Sequence, residues 1–178
     1  MTKGESAHQY ELLFHLNAGE ADVEAATKRV STRNADAANL ALIPLAGGGL
    51  DASVVKGREE EEVQGWAAEP WRPVPTAVYH KSGKGVVRFV TVLYPTARGQ
   101  ALPVAAVEPV QVAGEDAVAA RIRLADGRSH LFLQADAPGK PRAFDGWSTD
   151  GELALVELGA DGRPGRRILV SGKALRRD

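Results

Sequence analysis

The chain has 178 residues, no cysteine and a formal net charge of −1, which excludes disulfide frameworks, cysteine-ligated zinc sites and cysteine nucleophiles. The balanced charge argues against a dedicated nucleic-acid binder, which needs clustered Lys and Arg to neutralise phosphates. The length suits one domain, since domains commonly span about 100–200 residues. We therefore expect a single domain over residues 1–178, with a polar leader at 1–6 and a basic tail at 172–178.

Targeting and membrane signals are weak in this sequence. The first ten residues, MTKGESAHQY, lack the apolar run of a secretory signal. The longest apolar stretches are much shorter than the ~20 residues that span a bilayer. We expect no signal peptide within this chain and no membrane partner, and the location of the protein stays open.

The first two thirds of the chain predict short strands joined by turns. No window shows the sustained apolar spacing of an amphipathic helix, and only residues 19–28 and 58–64 could hold a helical turn. Ser82-Gly83-Lys84 is a plausible hairpin connection between two strands. The expected strands lie at residues 8–16, 28–32, 39–46, 50–57, 76–81 and 85–95.

The last third predicts an antiparallel meander over residues 117–171. Three of its Asp-Gly pairs, which begin at residues 126, 150 and 161, separate apolar-alternating runs. Asp-Gly tolerates the positive φ angles of a tight type I′ hairpin turn. Alternation places Leu131, Leu133 and Ala135 on one face of their strand, opposite His130 and Phe132.

The strand count sets the expected architecture. We expect about 11–13 short strands, spaced roughly 8–12 residues apart as in sandwiches and barrels. A single open sheet of that size would leave an apolar face in water. The fold class is therefore all-β, a two-sheet antiparallel β-sandwich with a C-terminal meander, and a closed barrel is the alternative.

The N-terminal strand carries a cluster of polar side chains. His8 and Tyr10 share one face, and Glu11 and His15 share the other. A His and a Tyr two residues apart could serve as acid and base, but the same face continues with apolar residues and is typical of packing in a core. His15 and Glu11 are too few for a metal site. We expect no catalytic residue, no metal and no cofactor in this chain.

Two tryptophans form the most suggestive binding feature. Trp66 and Trp71 lie five residues apart in the Gly- and Pro-rich segment GWAAEPWRPVP. Exposed indoles can stack on sugar rings or on a partner surface. The alternative is that each tryptophan closes the end of the sandwich, and Trp147 carries the same two interpretations. Trp66, Trp71 and the adjacent Arg72 are the candidate substrate-binding residues.

Charged segments give weaker signals. The acidic run at residues 58–62 lacks the spacing of a calcium loop and is typical of a solvated loop or a protected edge strand. The basic residues after 163 could attract an acidic polysaccharide, or could only improve solubility. No phosphate loop, nucleophile elbow, zinc-protease or dinucleotide motif is present.

Several segments in order resemble the C-terminal β-sandwich region of heparinase II/III-like polysaccharide lyases. They are an H-x-Y-x-x-x-F-H-L strand at 8–16, Gly65-Trp66 after a strand ending in Gly57, a Pro-rich approach to Val78, and a strand closing at Pro95. The resemblance covers roughly residues 7–110. The meander would complete the sandwich.

The resemblance implies a bacterial enzyme with an N-terminal helical toroid followed by this sandwich. Such lyases cleave uronate-containing glycans by β-elimination in a cleft between the two parts, and they would be periplasmic or secreted. The family's catalytic and metal-binding segments lie outside the matched residues. No catalytic role is therefore carried onto any residue here, and the chain alone is not expected to be catalytic.

Two functions follow as hypotheses. In the first, the chain is the non-catalytic sandwich of a polysaccharide lyase, which supports the helical toroid and lines the substrate cleft with loop residues. In the second, it is an independent module that binds carbohydrate or a partner protein. An upstream reading frame that encodes a helical toroid would favour the first hypothesis.

Overall fold

A computed structural model describes residues 2–45, 47–60, 62–113 and 116–178. The fold is all-β, as predicted, and every strand pairing in this part of the chain is antiparallel. The described residues form seventeen strands, more than expected because several strands have only two or three residues. None of their segments forms a helix long and apolar enough to cross a membrane.

The two segments considered for helical turns are not helical where the structure describes them. Residues 19–28 contain a strand and the turn that follows it. Residues 58–64 form a loop closed by an isolated bridge between Arg58 and Gln64, and Glu61 lies outside the described residues. Four successive Glu residues in a segment of seven offer no apolar face for a helix to bury, so this result follows from composition.

The chain divides into two compact units, residues 1–102 and 103–178. Each unit has its own cluster of buried residues. A single domain over residues 1–178 stays a prediction, and each unit is described here by itself.

Unit 1 contains two sheets and a small hairpin. One sheet has the order β1-β8-β5 and the other the order β2-β3-β4-β9, while β6 pairs with β7. The strands are β1 (Thr2–His15), β2 (Ala21–Glu24), β3 (Arg29–Thr32), β4 (Asn39–Pro44), β5 (Asp51–Val55), β6 (Trp66–Ala67), β7 (Arg72–Pro73), β8 (Thr76–Val87) and β9 (Thr91–Thr96).

The core of unit 1 lies between its two sheets, in the sandwich arrangement that was predicted. Val30 and Leu42 from one sheet share a cluster with Ala77 and Tyr79 from the other, and Phe14 of β1 packs against it. The Tyr79 hydroxyl donates a hydrogen bond to the Leu42 carbonyl at 3.2 Å. Burial raises the pKa of Tyr79 to about 12, so this phenol remains a neutral donor at ordinary pH.

The predicted hairpin at Ser82-Gly83-Lys84 is wrong, because β8 continues through these residues to Val87. The 14-residue strand β1 pairs along it, from Thr2 opposite Val87 to His15 opposite Thr76, with a bulge between Gly4 and His8. Strand β1 provides hydrogen-bond partners for the backbone of β8 on both sides of these residues. The extended conformation is therefore favoured over a turn.

The residues expected as a polar leader take part in the same ladder. Strand β1 begins at Thr2, and residues 2–4 pair with residues 85–87 of β8. Strand pairing uses backbone groups, so a polar sequence does not prevent it. Residues 2–6 are therefore placed in a strand.

Unit 2 contains a five-stranded and a three-stranded sheet. The larger sheet has the order β10-β11-β12-β15-β16, which confirms the predicted meander, and the smaller one has the order β13-β14-β17. Hairpin β13–β14 is inserted in the chain between β12 and β15. The strands are β10 (Val104–Val110), β11 (Ala117–Leu124), β12 (Ser129–Ala135), β13 (Arg142–Phe144), β14 (Trp147–Thr149), β15 (Leu153–Leu158), β16 (Pro164–Val170) and β17 (Leu175–Arg177).

Two of these three Asp-Gly pairs, Asp126-Gly127 and Asp161-Gly162, form turns between strands, but neither aspartate has the positive φ that a type I′ turn requires. Gly127 and Gly162 have φ angles of 86° and 74°. The carboxylates of Asp126 and Asp161 accept hydrogen bonds from the backbone N–H groups two residues later, at 3.1 and 3.0 Å. This local bonding is the reason that Asp favours such turns.

The third pair, Asp150-Gly151, is not such a turn, and its prediction is wrong. Gly151 is absent from the left-handed region. The Asp150 carboxylate instead accepts hydrogen bonds from the N–H groups of Lys173 and Ala174, both at 2.8 Å. These two backbone donors also hold the pKa of Asp150 below its usual value.

The same contacts order much of the expected basic tail at residues 172–178. Leu175–Arg177 form β17, which pairs with β14, and Leu175 packs against the buried cluster of unit 2. The packing of Leu175 and the hydrogen bonds to Asp150 therefore place this segment in the fold. Its basic charge had suggested a tail.

A buried arginine in unit 2 makes the stability of the fold depend on pH in the acidic range. The side chain of Arg142 is 3% exposed, and its Nη2 donates to the Asp116 carboxylate at 3.1 Å. Lys140 Nζ donates to the same carboxylate oxygen at 3.0 Å. The hydrogen bond from Arg142, followed by that from Lys140, lowers the pKa of Asp116 to about 2.

We expect Asp116→Asn to reveal this dependence. The folded pKa lies below the ordinary value of 3.8, so the unfolded chain takes up the proton first. The stabilisation is complete above about pH 4 and is lost as the pH falls toward about 2. Urea unfolding followed by circular dichroism should show a gap between native protein and variant that is widest above this window and closes within it. A gap independent of pH would contradict the assignment.

Candidate functional site

The candidate binding residues lie on a short hairpin in unit 1, here called the tryptophan hairpin (residues 64–74). Strands β6 and β7 pair Trp66 with Pro73 and Ala67 with Arg72. The connecting residues include a cis peptide bond between Glu69 and Pro70.

The base of the hairpin is fixed by backbone hydrogen bonds. The Gly65 carbonyl accepts from the N–H groups of Gly57 at 2.9 Å and Val74 at 2.8 Å. Arg58 and Gln64 exchange two further backbone hydrogen bonds, at 2.9 and 3.0 Å. The hairpin therefore has a defined orientation on its unit.

The two tryptophans are stacked. Their ring centroids are 5.0 Å apart and their planes differ by 8°. The Trp66 Nε1–H donates to the Arg58 carbonyl at 3.2 Å, and a Cβ at Gly57 would lie 3.6 Å from Cζ2 of Trp66. Trp66 thus lies beside Gly57 and stacks on the second indole.

Trp71 presents the open face of this stack. It is 62% exposed, although Trp66 covers one side of its ring. An indole held from behind by a second ring loses little conformational freedom when a ligand covers it. The feature on the surface is therefore a flat, preorganised aromatic face.

Arg72 lies on the other face of the hairpin. Successive residues of a strand point to opposite faces, and Arg72 pairs with Ala67 rather than with Trp66. Its Nη2 donates to the Oδ1 of Asn17, in the loop after β1. The structure thus brings Trp66 and Trp71 together and places Arg72 as a residue that positions the hairpin.

Several Glu residues precede the exposed indole in the sequence. Glu59, Glu60, Glu62 and Glu69 are all exposed, and none of them forms an ion pair within the described part of the chain. Val63, in the same acidic loop, is 64% exposed.

The cations near the hairpin are held by other partners. Arg58 donates from Nε to the Glu62 carbonyl at 3.2 Å and from Nη2 to Gln64 at 3.1 Å. Lys56 Nζ donates to the Gly19 carbonyl and to the Glu20 carboxylate, at 2.7 and 2.6 Å. The hairpin therefore combines an open aromatic face with an excess of negative charge.

The sequence did not point to the residues that position the stack. These residues include Gly57 and Gly65, whose backbones approach closely and share a hydrogen bond. Asn17 contributes a single side-chain contact, to Arg72. The one available signal was the pair of glycines on either side of the acidic run, since glycines in such places often permit close backbone approach.

The His and Tyr residues of β1 contact side chains near them in the sheet. The rings of His8 and Tyr10 are 6.1 Å apart, and His8 Nε2 is 2.8 Å from the Ser6 hydroxyl. Glu11, on the other face, contacts Nδ1 of His80 at 3.1 Å. Across the described residues, no three His, Cys, Asp or Glu side chains are grouped to hold a metal ion.

Trp147 is a core residue of unit 2. It is 3% exposed and belongs to the buried cluster around Leu131, Leu133 and Phe144. Of the two interpretations given for Trp147 above, the structure supports packing.

Unit 1 also has an open cleft of about 480 Å³. Two arginines line it: Arg29 pairs with Glu24 at 3.2 Å, and Arg33 pairs with Asp22 at 2.5 Å. Both cations are balanced by the adjacent strand, so the cleft offers no charge by which a ligand class could be named.

The strongest candidate site is therefore the exposed face of Trp71 on the tryptophan hairpin. A scan against models of known protein families finds no match, and no curated protein is significantly similar to this chain.

Proposed function

We propose that this protein is a non-catalytic carbohydrate-binding module whose binding surface is the open face of Trp71. The observation that carries the proposal is the stack of Trp71 on Trp66, with its exposed outer indole face. A pyranose ring presents C–H groups that pack on such a face, while its hydroxyls need hydrogen-bond acceptors. The carboxylates of Glu62 and Glu69 are acceptors of this kind.

Several features support a sugar over a protein partner. A protein hot spot commonly lies at the centre of a ring of contacts that exclude water. The sequence neighbours of Trp71 are two charged residues, Glu69 and Arg72, and two prolines, and Val63 is the one large exposed apolar residue of the acidic loop. A single flat ring with carboxylates nearby in the sequence suits a polyhydroxylated ligand better than a dry interface.

The wider role, as the sandwich region of a heparinase II/III-like polysaccharide lyase that supports a helical toroid, stays a prediction. Its support is the order of the motifs in residues 7–110. The binding proposal does not depend on it, because a module of either origin would use the same indole face.

Affinity electrophoresis tests the proposal. The full chain is run through gels that contain hydroxyethylcellulose, xylan, galactomannan, chitosan, alginate or polygalacturonate. We expect retardation by at least one polysaccharide, and we expect Trp71→Ala to weaken that binding by about thirtyfold, the loss typical of a truncated aromatic anchor.

Val63→Ser is the matched control, because it removes the other exposed apolar side chain of the region. It should leave retardation unchanged if a sugar ring stacks on Trp71. Binding that is lost in Val63→Ser but kept in Trp71→Ala would contradict the proposal, as would the absence of retardation in every gel.

A further inference from the structure

We propose that the glycan bound at Trp71 is a cationic amino sugar, such as a glucosamine oligomer, and not an acidic polysaccharide. This inference rests on the proposed function, because it concerns the same indole face. It replaces the uronate-containing ligand that the family resemblance implied.

The charge of the hairpin region is the first step. Between residues 57 and 74 the sequence has five Glu and two Arg. The four described carboxylates are exposed and lack ion-pair partners among the described residues. The region therefore has a net negative charge that no neighbouring side chain of the described chain is seen to neutralise.

The backbone places two of these Glu residues near the indoles. Glu69 is two residues from Trp71, so their Cα atoms are at most about 7.6 Å apart. Glu59 follows the Arg58 carbonyl, which accepts the Trp66 Nε1–H at 3.2 Å. The backbone atoms of both residues therefore lie within roughly one Debye length of the stack at physiological salt, about 8 Å.

The nearby cations donate hydrogen bonds to partners within the protein. Arg58 donates to the Glu62 backbone carbonyl and to the Gln64 side chain, and Lys56 pairs with the Glu20 carboxylate. Arg72 lies on the opposite face of the hairpin, where it contacts Asn17. Because five Glu outnumber two Arg between residues 57 and 74, a uronate stacked on Trp71 would meet an excess of like charge.

A protonated amine satisfies both features of the site. Cations are attracted to the face of an indole ring, and Trp is the strongest of the aromatic residues in this respect. The exposed carboxylates add attraction of the same sign. A glucosamine unit offers a ring to stack, hydroxyls to donate and an ammonium group to pair.

Calorimetric titration with two matched ligands tests the inference. The glucosamine tetramer and the N-acetylglucosamine tetramer share their rings and linkages, but only the first is charged. At pH 6 we expect the charged tetramer to bind at least about tenfold more tightly at low ionic strength. The preference should shrink in about 0.5 M salt, where screening is strong.

Two variants separate the contributions. Replacing Glu59, Glu60, Glu62 and Glu69 together by Gln should reduce the preference to about threefold or less while the acetylated tetramer still binds. Trp71→Ala should weaken both tetramers. A glucosamine tetramer that binds Trp71→Ala as tightly as the native protein would reveal simple ion attraction and overturn the inference.

The remaining outcomes distinguish this inference from the proposed function. Equal binding of the two tetramers, or tighter binding of a galacturonate tetramer, would overturn the amino-sugar assignment and leave the module a carbohydrate binder. Tetralysine binding with the same dependence on Trp71 would overturn it in favour of a cationic peptide. If no saccharide binds here or in the gels, the proposed function itself fails.

Discussion

Replacing Gly65 by alanine is expected to cost about 2–4 kcal/mol of folding free energy and to abolish ligand binding. Gly65 has a φ of 81°, where an L side chain is strained. A Cβ at this position would lie 2.7 Å from Lys56 Cα, 2.8 Å from Gly57 N and 2.8 Å from the Val55 carbonyl oxygen. All three are backbone atoms, so relief requires the hairpin to move away from β5.

The consequence reaches the binding surface because the Gly65 carbonyl also closes the base of the hairpin. If the chain shifts there, the hydrogen bonds from Gly57 and Val74 are lost, and the support that keeps Trp66 behind Trp71 is lost with them. Urea unfolding and the affinity gels measure the two effects separately.

Gly99→Ala is the matched control for this substitution. Gly99 has a similar φ of 72°, but a Cβ there meets nothing within 4 Å. We expect it to cost only the backbone strain, about 1 kcal/mol, and to leave binding intact. Equal losses for the two variants would show that the close approach at Gly65 does not matter.

Trp147→Ala should give the largest loss of stability in unit 2, about 3–5 kcal/mol. The side chain is 3% exposed and packs with Leu131, Leu133 and Phe144, so truncation removes buried apolar contacts and leaves a cavity. Far-UV circular dichroism during urea unfolding measures the change. Binding of the glucosamine tetramer should persist under conditions in which the variant is folded.

The same substitution at Trp71 should show the opposite pattern. Trp71 is 62% exposed, so Trp71→Ala costs at most the stacking energy with Trp66, about 0.5–1.5 kcal/mol, but removes the binding face. A reversal of these two patterns, with stability lost at Trp71 and binding lost at Trp147, would contradict both assignments.

Local turn chemistry explains which parts of the fold were predictable. Asp126-Gly127 and Asp161-Gly162 specify their turns through the φ of glycine and a bond to the backbone two residues on. The alternation of β12 likewise specifies its buried face, since Leu131 and Leu133 are both fully buried. These features depend on residues close together in sequence.

Features that depend on distant partners were not predictable. Ser82-Gly83-Lys84 has the composition of a turn, yet β8 runs through it because β1 supplies a partner far away in sequence. Asp150 looks like the other turn residues, but its carboxylate caps Lys173 and Ala174. The local composition of these segments does not indicate which residues distant in sequence will contact them.

The candidate site was predictable only in part. The spacing and surroundings of Trp66 and Trp71 marked them as a binding feature, and the structure brings them into a stack. Arg72 was grouped with them by adjacency in sequence. Its placement on the opposite face required the register of β6 with β7, which a two-residue strand does not reveal through alternation.

The most direct test of the central claim uses the indole N–H resonances of the protein in nuclear magnetic resonance spectra. The chain has three tryptophans, so single Trp→Phe variants assign all three signals. The signals are followed as the glucosamine tetramer or its acetylated counterpart is added. If carbohydrate stacks on the tryptophan hairpin, the Trp71 signal should shift most, that of Trp66 should shift less and that of buried Trp147 should stay in place. Saturable binding that leaves the Trp71 signal unmoved would contradict the account.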